Sequence, residues 1–289
     1  MNTIAIENAM QTISKTSPNN NTAATIPLLS AIILAGGLST RMGCCKQLLP
    51  LCGKPLIQYG IETLLEAGIT HLVITVNSET RQPITEMIAQ LTQTKSAQKP
   101  PAQSSPLKEP AAGNGTFYSF RCDIVFNPEP ERGQGHSAAL AVQAACVCHT
   151  ETQAVQTAAR RSCTECSASN TSSAYTPSGF LFCTADQPFL QADSIRDLCT
   201  VFQNNPNRIV SAAFNGKHCS PVIFPAALAD ELSRLDGSIG GRTVMNAHPD
   251  LILNSPLRSE MEAFDIDTPE DLKRAEKYFQ NAPSEMPRS

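Results

Sequence analysis

The sequence predicts an α/β fold in three α/β/α layers, with helices on both faces of a doubly wound, mostly parallel β-sheet. Short apolar runs alternate along the chain with segments in which apolar residues recur at helical spacing. The first apolar run ends in a pair of glycines, and a later one ends in an aspartate. Ligands of such sheets bind beyond the carboxyl ends of the strands. We therefore expect the functional site in loops that follow strands.

The strands are predicted from short apolar runs bounded by polar or glycine-rich residues. Residues 28–34 are the clearest case, since a continuous apolar run that leads into Ala35-Gly36-Gly37 is typical of a buried parallel strand. Further strands are predicted at residues 71–76, 123–126, 179–184, 209–214, 221–224 and 251–253.

The helices are predicted from apolar residues three and four positions apart. Ile57, Ile61, Leu64 and Leu65 follow this spacing and precede Gly68, which stands where a C-cap glycine belongs. Further helical patterns lie at residues 137–146, 194–202, 226–235 and 269–279.

The chain is interpreted as one domain over residues 27–282. Residues 1–26, rich in Asn, Thr, Ser and Ala, are expected to form a disordered leader, and residues 283–289 a short tail. Two low-complexity segments, at about residues 92–116 and 149–178, lack apolar periodicity. They are interpreted as surface insertions in the domain.

Composition excludes several classes of protein. With a formal net charge of -4, the chain is not a strongly basic nucleic-acid binder. Its apolar runs are far shorter than the roughly 20 residues that span a bilayer, so no membrane association is expected. The first residues do not resemble a secretory signal, and the cysteine count of 11 is odd, so we expect a cytoplasmic protein with reduced thiols.

The loop after the first strand carries the strongest chemical signal. Its glycines allow backbone N–H groups to approach phosphate oxygens, and Arg41 and Lys46 add positive charge. The alternative is an ordinary strand-to-helix turn with two solvated cations. The loop matches neither the P-loop nor the dinucleotide-binding fingerprint.

Acidic residues at two other places complete a candidate site. Asp186 lies just after the strand predicted at residues 179–184 and is followed by Gln187-Pro188. It is therefore either a ligand for a hard cation or a turn residue. In the stretch from Asp265 to Asp271, alternation places Asp265 and Asp267 on one side of an extended segment. Thr268, Pro269 and Asp271 are expected to cap the following helix.

These three elements together resemble the MobA-like nucleotidyltransferases. The resemblance rests on Leu34-Ala35-Gly36-Gly37-Leu38-Ser39-Thr40-Arg41-Met42-Gly43 with Lys46 and Leu49-Pro50-Leu51, on Asp186-Gln187-Pro188, and on Asp265-Ile266-Asp267-Thr268-Pro269-Glu270-Asp271-Leu272. It implies a Rossmann-like fold and a glycine loop, Leu34 to Gly37, that wraps the nucleotide. It also implies that Arg41 contacts the β- and γ-phosphates and that Lys46 stabilises charge on the α-phosphate. Asp186 and Asp267 would bind Mg²⁺ or Mn²⁺, with Asp265 as a further candidate ligand.

Asp186-Gln187-Pro188 and three further segments resemble the molybdenum cofactor cytidylyltransferase branch: Gly133 to Leu140, Ser220 to Phe224 and Asp236 to Arg242. The resemblance implies that Ser137 contacts the base, that CTP is the nucleotide, that molybdopterin is the acceptor and that a molybdenum hydroxylase apoenzyme receives the product. GTP, a sugar-phosphate acceptor and a non-catalytic cofactor chaperone are the alternatives. Three positions depart from the pattern: His136, which is interpreted as solvent-facing, Ala139, which stands at the second serine position, and Ser220, which stands where a histidine is usual.

The cysteine-rich region raises the alternative of a zinc site. Cys146, Cys148, His149, Cys163 and Cys166 supply soft ligands for zinc. Their spacing matches no established zinc-finger pattern, so the sequence favours the nucleotidyltransferase interpretation without zinc.

Overall fold

The computed structural model describes residues 27–37, 45–93, 120–147, 177–238 and 240–281. Seven strands form one sheet in the order β5-β4-β1-β6-β8-β7-β9, and two short strands, β2 and β3, form a separate antiparallel pair. The strands are β1 (Leu29–Leu34), β2 (Pro50–Leu51), β3 (Lys54–Pro55), β4 (His71–Val76), β5 (Arg121–Phe126), β6 (Gly179–Thr184), β7 (Ile209–Phe214), β8 (Lys217–Pro225) and β9 (Ile252–Pro256). All pairings that involve β8 are antiparallel, and the other pairings in the large sheet are parallel.

Helices cover both faces of this sheet, as the sequence predicts. They are α1 (Leu56–Glu66), α2 (Arg81–Gln93), α3 (Gln134–Val147), α4 (Ala192–Asn204), α5 (Ala229–Leu232), α6 (Arg242–Ala247) and α7 (Pro269–Asn281). One apolar core contains buried residues of α1, α2 and α4, and a second, on the opposite face, contains those of α3, α5 and α6. The three-layer α/β/α architecture is therefore confirmed.

The strand order places a crevice beyond the carboxyl end of β1. Strand β1 pairs with β4 on one side and with β6 on the other, all in parallel. The connections that leave β1 and β6 therefore emerge next to each other, at the point where the strand order reverses. Open α/β sheets bind their ligands at this switch point. Both the glycine loop and Asp186 follow these two strands.

A polar network lies at the other end of the sheet. His71, the first residue of β4, is buried and hydrogen-bonds Ser30 through Nδ1 at 2.8 Å and Asp123 through Nε2 at 2.9 Å. A serine, a histidine and an aspartate are thus linked in series by hydrogen bonds. Ser30 is fully buried, however, so its hydroxyl cannot contact a substrate. The network joins β1, β4 and β5 and is structural.

The clearest differences from the predicted elements concern three helices and one strand, besides the short strands β2 and β3, which are not predicted. Helix α2 and helix α6 were not predicted, although Ile84, Met87 and Ile88 bury one face of α2. The helix predicted at residues 226–235 is shorter, a 3₁₀ turn followed by α5, because the chain then turns to pack against the start of α3. Strand β8 is longer than predicted and forms a hairpin with β7 through Asn215-Gly216, both at positive φ.

Within the described ranges, no helix is both long enough and apolar enough to span a bilayer.

Candidate functional site

The ammonium group of Lys46 lies between two carboxylates that the sequence places far apart. Its Nζ donates hydrogen bonds to Asp186 Oδ2 at 2.5 Å and to Asp267 Oδ1 at 2.7 Å. The side chains of Lys46 and Asp186 are 14% and 15% exposed, whereas Asp267 is 48% exposed. The arrangement is a half-buried ion triplet that is open to solvent on the Asp267 side.

Backbone contacts hold the two acidic segments together. Asp186 follows β6, and its carbonyl accepts a hydrogen bond from the N–H of Ile266 at 3.1 Å. Ile266 is fully buried, so Asp265 and Asp267 on either side of it project away from the core. The capping prediction for α7 is confirmed, because Thr268 and Asp271 exchange side-chain and backbone hydrogen bonds at its start.

The charges of the triplet keep Lys46 protonated. Burial lowers the pKa of Lys46, but the charges and hydrogen bonds of Asp186 and Asp267 together outweigh this effect and hold it above its usual value. The pKa of Asp265 is raised as well, which favours the neutral form of this carboxyl group. The loss of hydration caused by surrounding protein atoms, and after it the negative charge of Asp186, raise the pKa of Asp265 to about 6, although part of the residue is open to solvent. Asp265 therefore lies within the field of the same cluster.

The acidic residues fit a divalent cation that is shared with substrate. Asp186 Oδ1 is buried and has no hydrogen-bond partner, so one oxygen of this carboxylate is left to bind a cation. No group of three His, Cys, Asp or Glu side chains in the described ranges is arranged to hold a metal ion by itself. Mg²⁺ is usually held by one or two carboxylates, with phosphate and water oxygens completing its shell.

A cavity of about 390 Å³ adjoins the triplet. Four residues that the sequence assigns to nucleotide binding line it: Leu34, Gly37, Lys46 and Ser137. Gln47, Pro130, Glu131, Gly133, Gln134, Thr184, Ala185 and Asp186 line it as well. The cavity lies at the carboxyl ends of β1 and β6, where the sequence predicts the site.

Ser137 is fixed at one side of this cavity by a buried amide. Asn127, which follows β5, donates from Nδ2 to Ser137 Oγ at 2.9 Å, so the serine hydroxyl proton remains available for another acceptor. Gly36 lies against Ser137, since a Cβ added at Gly36 would be 3.6 Å from Ser137 Oγ. Asn127 was not predicted, and its position directly after a strand was the available signal.

The remaining predicted residues have other surroundings or lie outside the described ranges. Ala35 is buried in the core on the α1 side, and its N–H donates to the Thr75 carbonyl. It therefore anchors the start of the glycine loop to strand β4. Arg41 lies outside the described residues.

The solvent-facing interpretation of His136 is wrong, because its side chain is 13% exposed and its Nε2 lies 3.8 Å from Glu129 Oε2. Of the cysteine-rich group, only Cys146 lies inside the described ranges.

A second cavity of about 410 Å³ lies beside the first. Its lining is mostly apolar near the sheet, with Phe182, Val222, Phe224 and Met245. Polar and charged residues line it as well: Gln134, Thr184, Ser211, His218, Ser220, Ser238 and Arg242. The two neighbouring cavities offer room for two ligands.

Two glycines at the start of α3 allow this double cavity to form. A Cβ at Gly133 would lie 2.5 Å from the Gly237 carbonyl oxygen, and one at Gly135 would lie 2.6 Å from that of Asp236. The Gly135 N–H also donates to Gly237 O at 2.8 Å. Because the backbones touch, a larger residue at either position would displace the loop at residues 236–238, of which Ser238 lines the second cavity.

The comparisons with known proteins agree with this geometry. A family model for the MobA-like NTP transferase domain matches residues 31–251. The purine catabolism protein PucB of Bacillus subtilis (strain 168) is 23% identical over 248 residues, which are 85% of this chain and 94% of that protein. A molybdenum cofactor guanylyltransferase of Xanthomonas euvesicatoria pv. vesicatoria (strain 85-10) is 44% identical over 48 residues, 17% of this chain and 25% of that protein.

Coverage differs widely among these relatives. The chain spans 20% and 18% of the lengths of two further curated relatives that it matches. Among solved structures, a nucleotidyl transferase from Methanothermobacter thermautotroptrophicus superposes with a TM-score of 0.54 at 16% identity, covering 87% of this chain and 97% of that one. At this identity the likeness shows the fold.

Proposed function

Because the chain belongs to the MobA-like NTP transferase family, we propose that it transfers CMP from CTP to the terminal phosphate of molybdenum cofactor and releases pyrophosphate. The observation that carries this proposal is the Lys46 ammonium, which two carboxylates hold in the wall of one cavity while a second cavity adjoins it. A charged lysine, a carboxylate oxygen without a partner and room for two substrates suit nucleotidyl transfer.

The reaction we propose is an in-line displacement at the α-phosphorus. An oxygen of the acceptor's terminal phosphate forms the new bond, while the bond from the α-phosphorus to the bridging oxygen of the β-phosphate breaks. Pyrophosphate leaves with that electron pair. Such a reaction depends on positioning and charge neutralisation more than on a protein base.

Among the described residues that line the nucleotide cavity, Lys46 is the one with a positively charged side chain. Its ammonium faces the charge that builds up on the α-phosphate oxygens. A divalent cation, Mg²⁺ or Mn²⁺, supplies further charge neutralisation when bound, and Asp186 and Asp267 would hold it, with Asp265 beside them. Arg41 is assigned to the β- and γ-phosphates on the family resemblance alone.

The second cavity suits a phosphorylated ring system as acceptor. Its apolar wall of Phe182, Val222 and Phe224 favours a flat ring, and Arg242 and His218 at its edge favour an anionic group. Molybdopterin combines a fused ring with a terminal phosphate. A molybdenum hydroxylase apoenzyme is the consumer that we propose for the product.

The guanylyl reaction is the second candidate. It is favoured by the short match to a molybdenum cofactor guanylyltransferase and by the glycine pair at Gly36 and Gly37. The later segments that resemble the cytidylyltransferases, such as Asp186-Gln187-Pro188, are the reason for preferring CTP.

Nucleotide preference is tested by measuring kcat/KM for CTP and for GTP, side by side, at saturating Mg²⁺ and molybdenum cofactor. We expect kcat/KM to be higher for CTP by at least about tenfold, because a pocket built around fixed polar groups penalises a base that leaves them unpaired. A preference for GTP would assign the chain to the guanylyl reaction. Turnover only with a sugar phosphate would contradict the molybdenum cofactor assignment.

A further inference from the structure

Three residues of the described ranges line both cavities: Leu34, Gln134 and Thr184. If one cavity holds the nucleotide and the other the acceptor, as proposed above, the two reacting phosphates meet at this shared wall. Leu34 is apolar, whereas Gln134 and Thr184 carry hydrogen-bond donors. These two side chains are therefore placed where phosphate oxygens of both substrates come together.

Gln134 reaches this wall from a rigid backbone. It is the first residue of α3 and lies between Gly133 and Gly135, whose backbones pack against residues 236–238. Its side chain lies along Gly240, since a Cβ added there would be 3.6 Å from Gln134 Cγ and 3.8 Å from Oε1. The residue is exposed, so its amide is open to a ligand in either cavity.

Thr184 reaches the wall from the opposite side, at the end of β6. Alternation along the strand places it on the same face as Phe180 and Phe182, which pack on the α3 side of the sheet. Its hydroxyl oxygen is shielded from water and has no hydrogen-bond partner. The hydroxyl can change between staggered positions by rotation about the Cα–Cβ bond, so it is able to donate to a ligand that enters either cavity. Because Thr184 lines both cavities, its unpaired hydroxyl is available to a ligand there that supplies an acceptor.

We propose that the Gln134 amide and the Thr184 hydroxyl donate hydrogen bonds to phosphate oxygens at the point of transfer. Lys46 lines the nucleotide cavity and Arg242 the acceptor cavity, so in the described ranges the wall between the two cations carries neutral donors. Neutral donors hold two phosphates near each other without binding either so tightly that it cannot leave. The ligand is a phosphoryl oxygen, which every nucleotide and acceptor pair shares.

The first test is the kinetics of Gln134→Glu and Thr184→Val with the pair that wild type turns over fastest. We expect kcat/KM for the acceptor to fall about thirtyfold or more in Gln134→Glu, because a carboxylate repels phosphate. In Thr184→Val we expect a fall of about tenfold or more, with Thr184→Ser retaining most of the activity. Nucleotide affinity of Thr184→Val, measured by calorimetry without acceptor, should stay within about threefold of wild type.

The chain offers a matched control for each variant. Gln143 is an exposed glutamine of the same helix, and Thr75 is a buried threonine whose hydroxyl also lacks a hydrogen-bond partner. Neither lines the cavities. Gln143→Glu and Thr75→Val should leave kcat/KM unchanged. If Thr184→Val and Gln134→Glu affect it no more than these controls, or if Thr184→Ser is as impaired as Thr184→Val, the proposal is overturned.

A binding measurement separates this proposal from the proposed function. In protein loaded with a non-hydrolysable nucleoside triphosphate, inorganic phosphate is titrated as a probe of the junction. We expect its half-saturating concentration to rise at least threefold in Thr184→Val and in Gln134→Glu, and to stay at the wild-type value in both controls. This result supports the proposal even if wild type turns over no molybdenum cofactor. Equal phosphate binding in wild type and both variants would overturn it.

Discussion

Replacing Lys46 with alanine is expected to lower kcat at least about a hundredfold while the chain stays folded. The loss corresponds to about 3 kcal/mol of transition-state stabilisation, which is typical when one preorganised donor is removed from a charged transition state. The ammonium is held between Asp186 and Asp267 and lines the nucleotide cavity, so no neighbouring side chain in the described ranges can replace it there. The measurement is steady-state pyrophosphate release, with circular dichroism as the check on folding.

Lys54 provides the matched control for this substitution. It also forms an ion pair, with Glu62 at 2.6 Å, and its side chain is 18% exposed, close to the value for Lys46. Lys54 lines neither cavity. Lys54→Ala should therefore retain nearly full kcat. Near-normal turnover of Lys46→Ala, or an equal loss in both variants, would remove Lys46 from the reaction.

Replacing Asp186 with asparagine is expected to reduce kcat by a similar factor, about a hundredfold or more, and to weaken metal binding. The amide keeps the shape of the side chain but removes the charge that attracts a cation and pairs with Lys46. Two measurements separate these effects. Turnover is titrated with Mg²⁺, and Mn²⁺ binding to the nucleotide-loaded protein is followed by electron paramagnetic resonance.

Asp197 is the control for Asp186. It forms a surface ion pair with Arg258 at 2.6 Å, and Asp197→Asn should change neither turnover nor Mn²⁺ binding. If Asp186→Asn binds Mn²⁺ as tightly as wild type, Asp186 is not a metal ligand. Asp267→Asn should weaken Mn²⁺ binding less, because the Asp267 carboxylate is more exposed and its charge is better screened by water.

Local patterns are sufficient to predict the seven strands of the large sheet, whereas the acidic residues of the candidate site are chosen by the family resemblance. A continuous apolar run predicts β1 because a strand of a parallel sheet is buried on both faces. The sequence Asp265-Ile266-Asp267 predicts one inward and two outward side chains, and the structure has Ile266 buried between the two acids. Helix α2 was missed although Ile84, Met87 and Ile88 have helical spacing, because the segment is polar overall and carries Pro83, which the first turn of a helix tolerates.

The partition between the two cavities could not be predicted, because it depends on packing between distant segments. Nothing local to Gly133 or Gly135 indicates that residues 236–238 touch their backbones. For the same reason, the position of Gln134 beside Gly240 and Thr184 becomes visible only in three dimensions. The family resemblance does group Lys46, Asp186 and Asp267 into one site, and the structure brings these three side chains together.

Pyrophosphate release with each component omitted in turn tests the nucleotidyl-transfer account most directly. Wild-type protein is mixed with CTP, molybdenum cofactor and Mg²⁺, and release is followed in the complete mixture and in mixtures that lack one component. We expect release only in the complete mixture, in equal amount to the CMP-linked cofactor formed, because transfer consumes both substrates at the junction of the two cavities. Tight binding of CTP and cofactor with no pyrophosphate released would contradict this account and indicate a protein that carries the cofactor without modifying it.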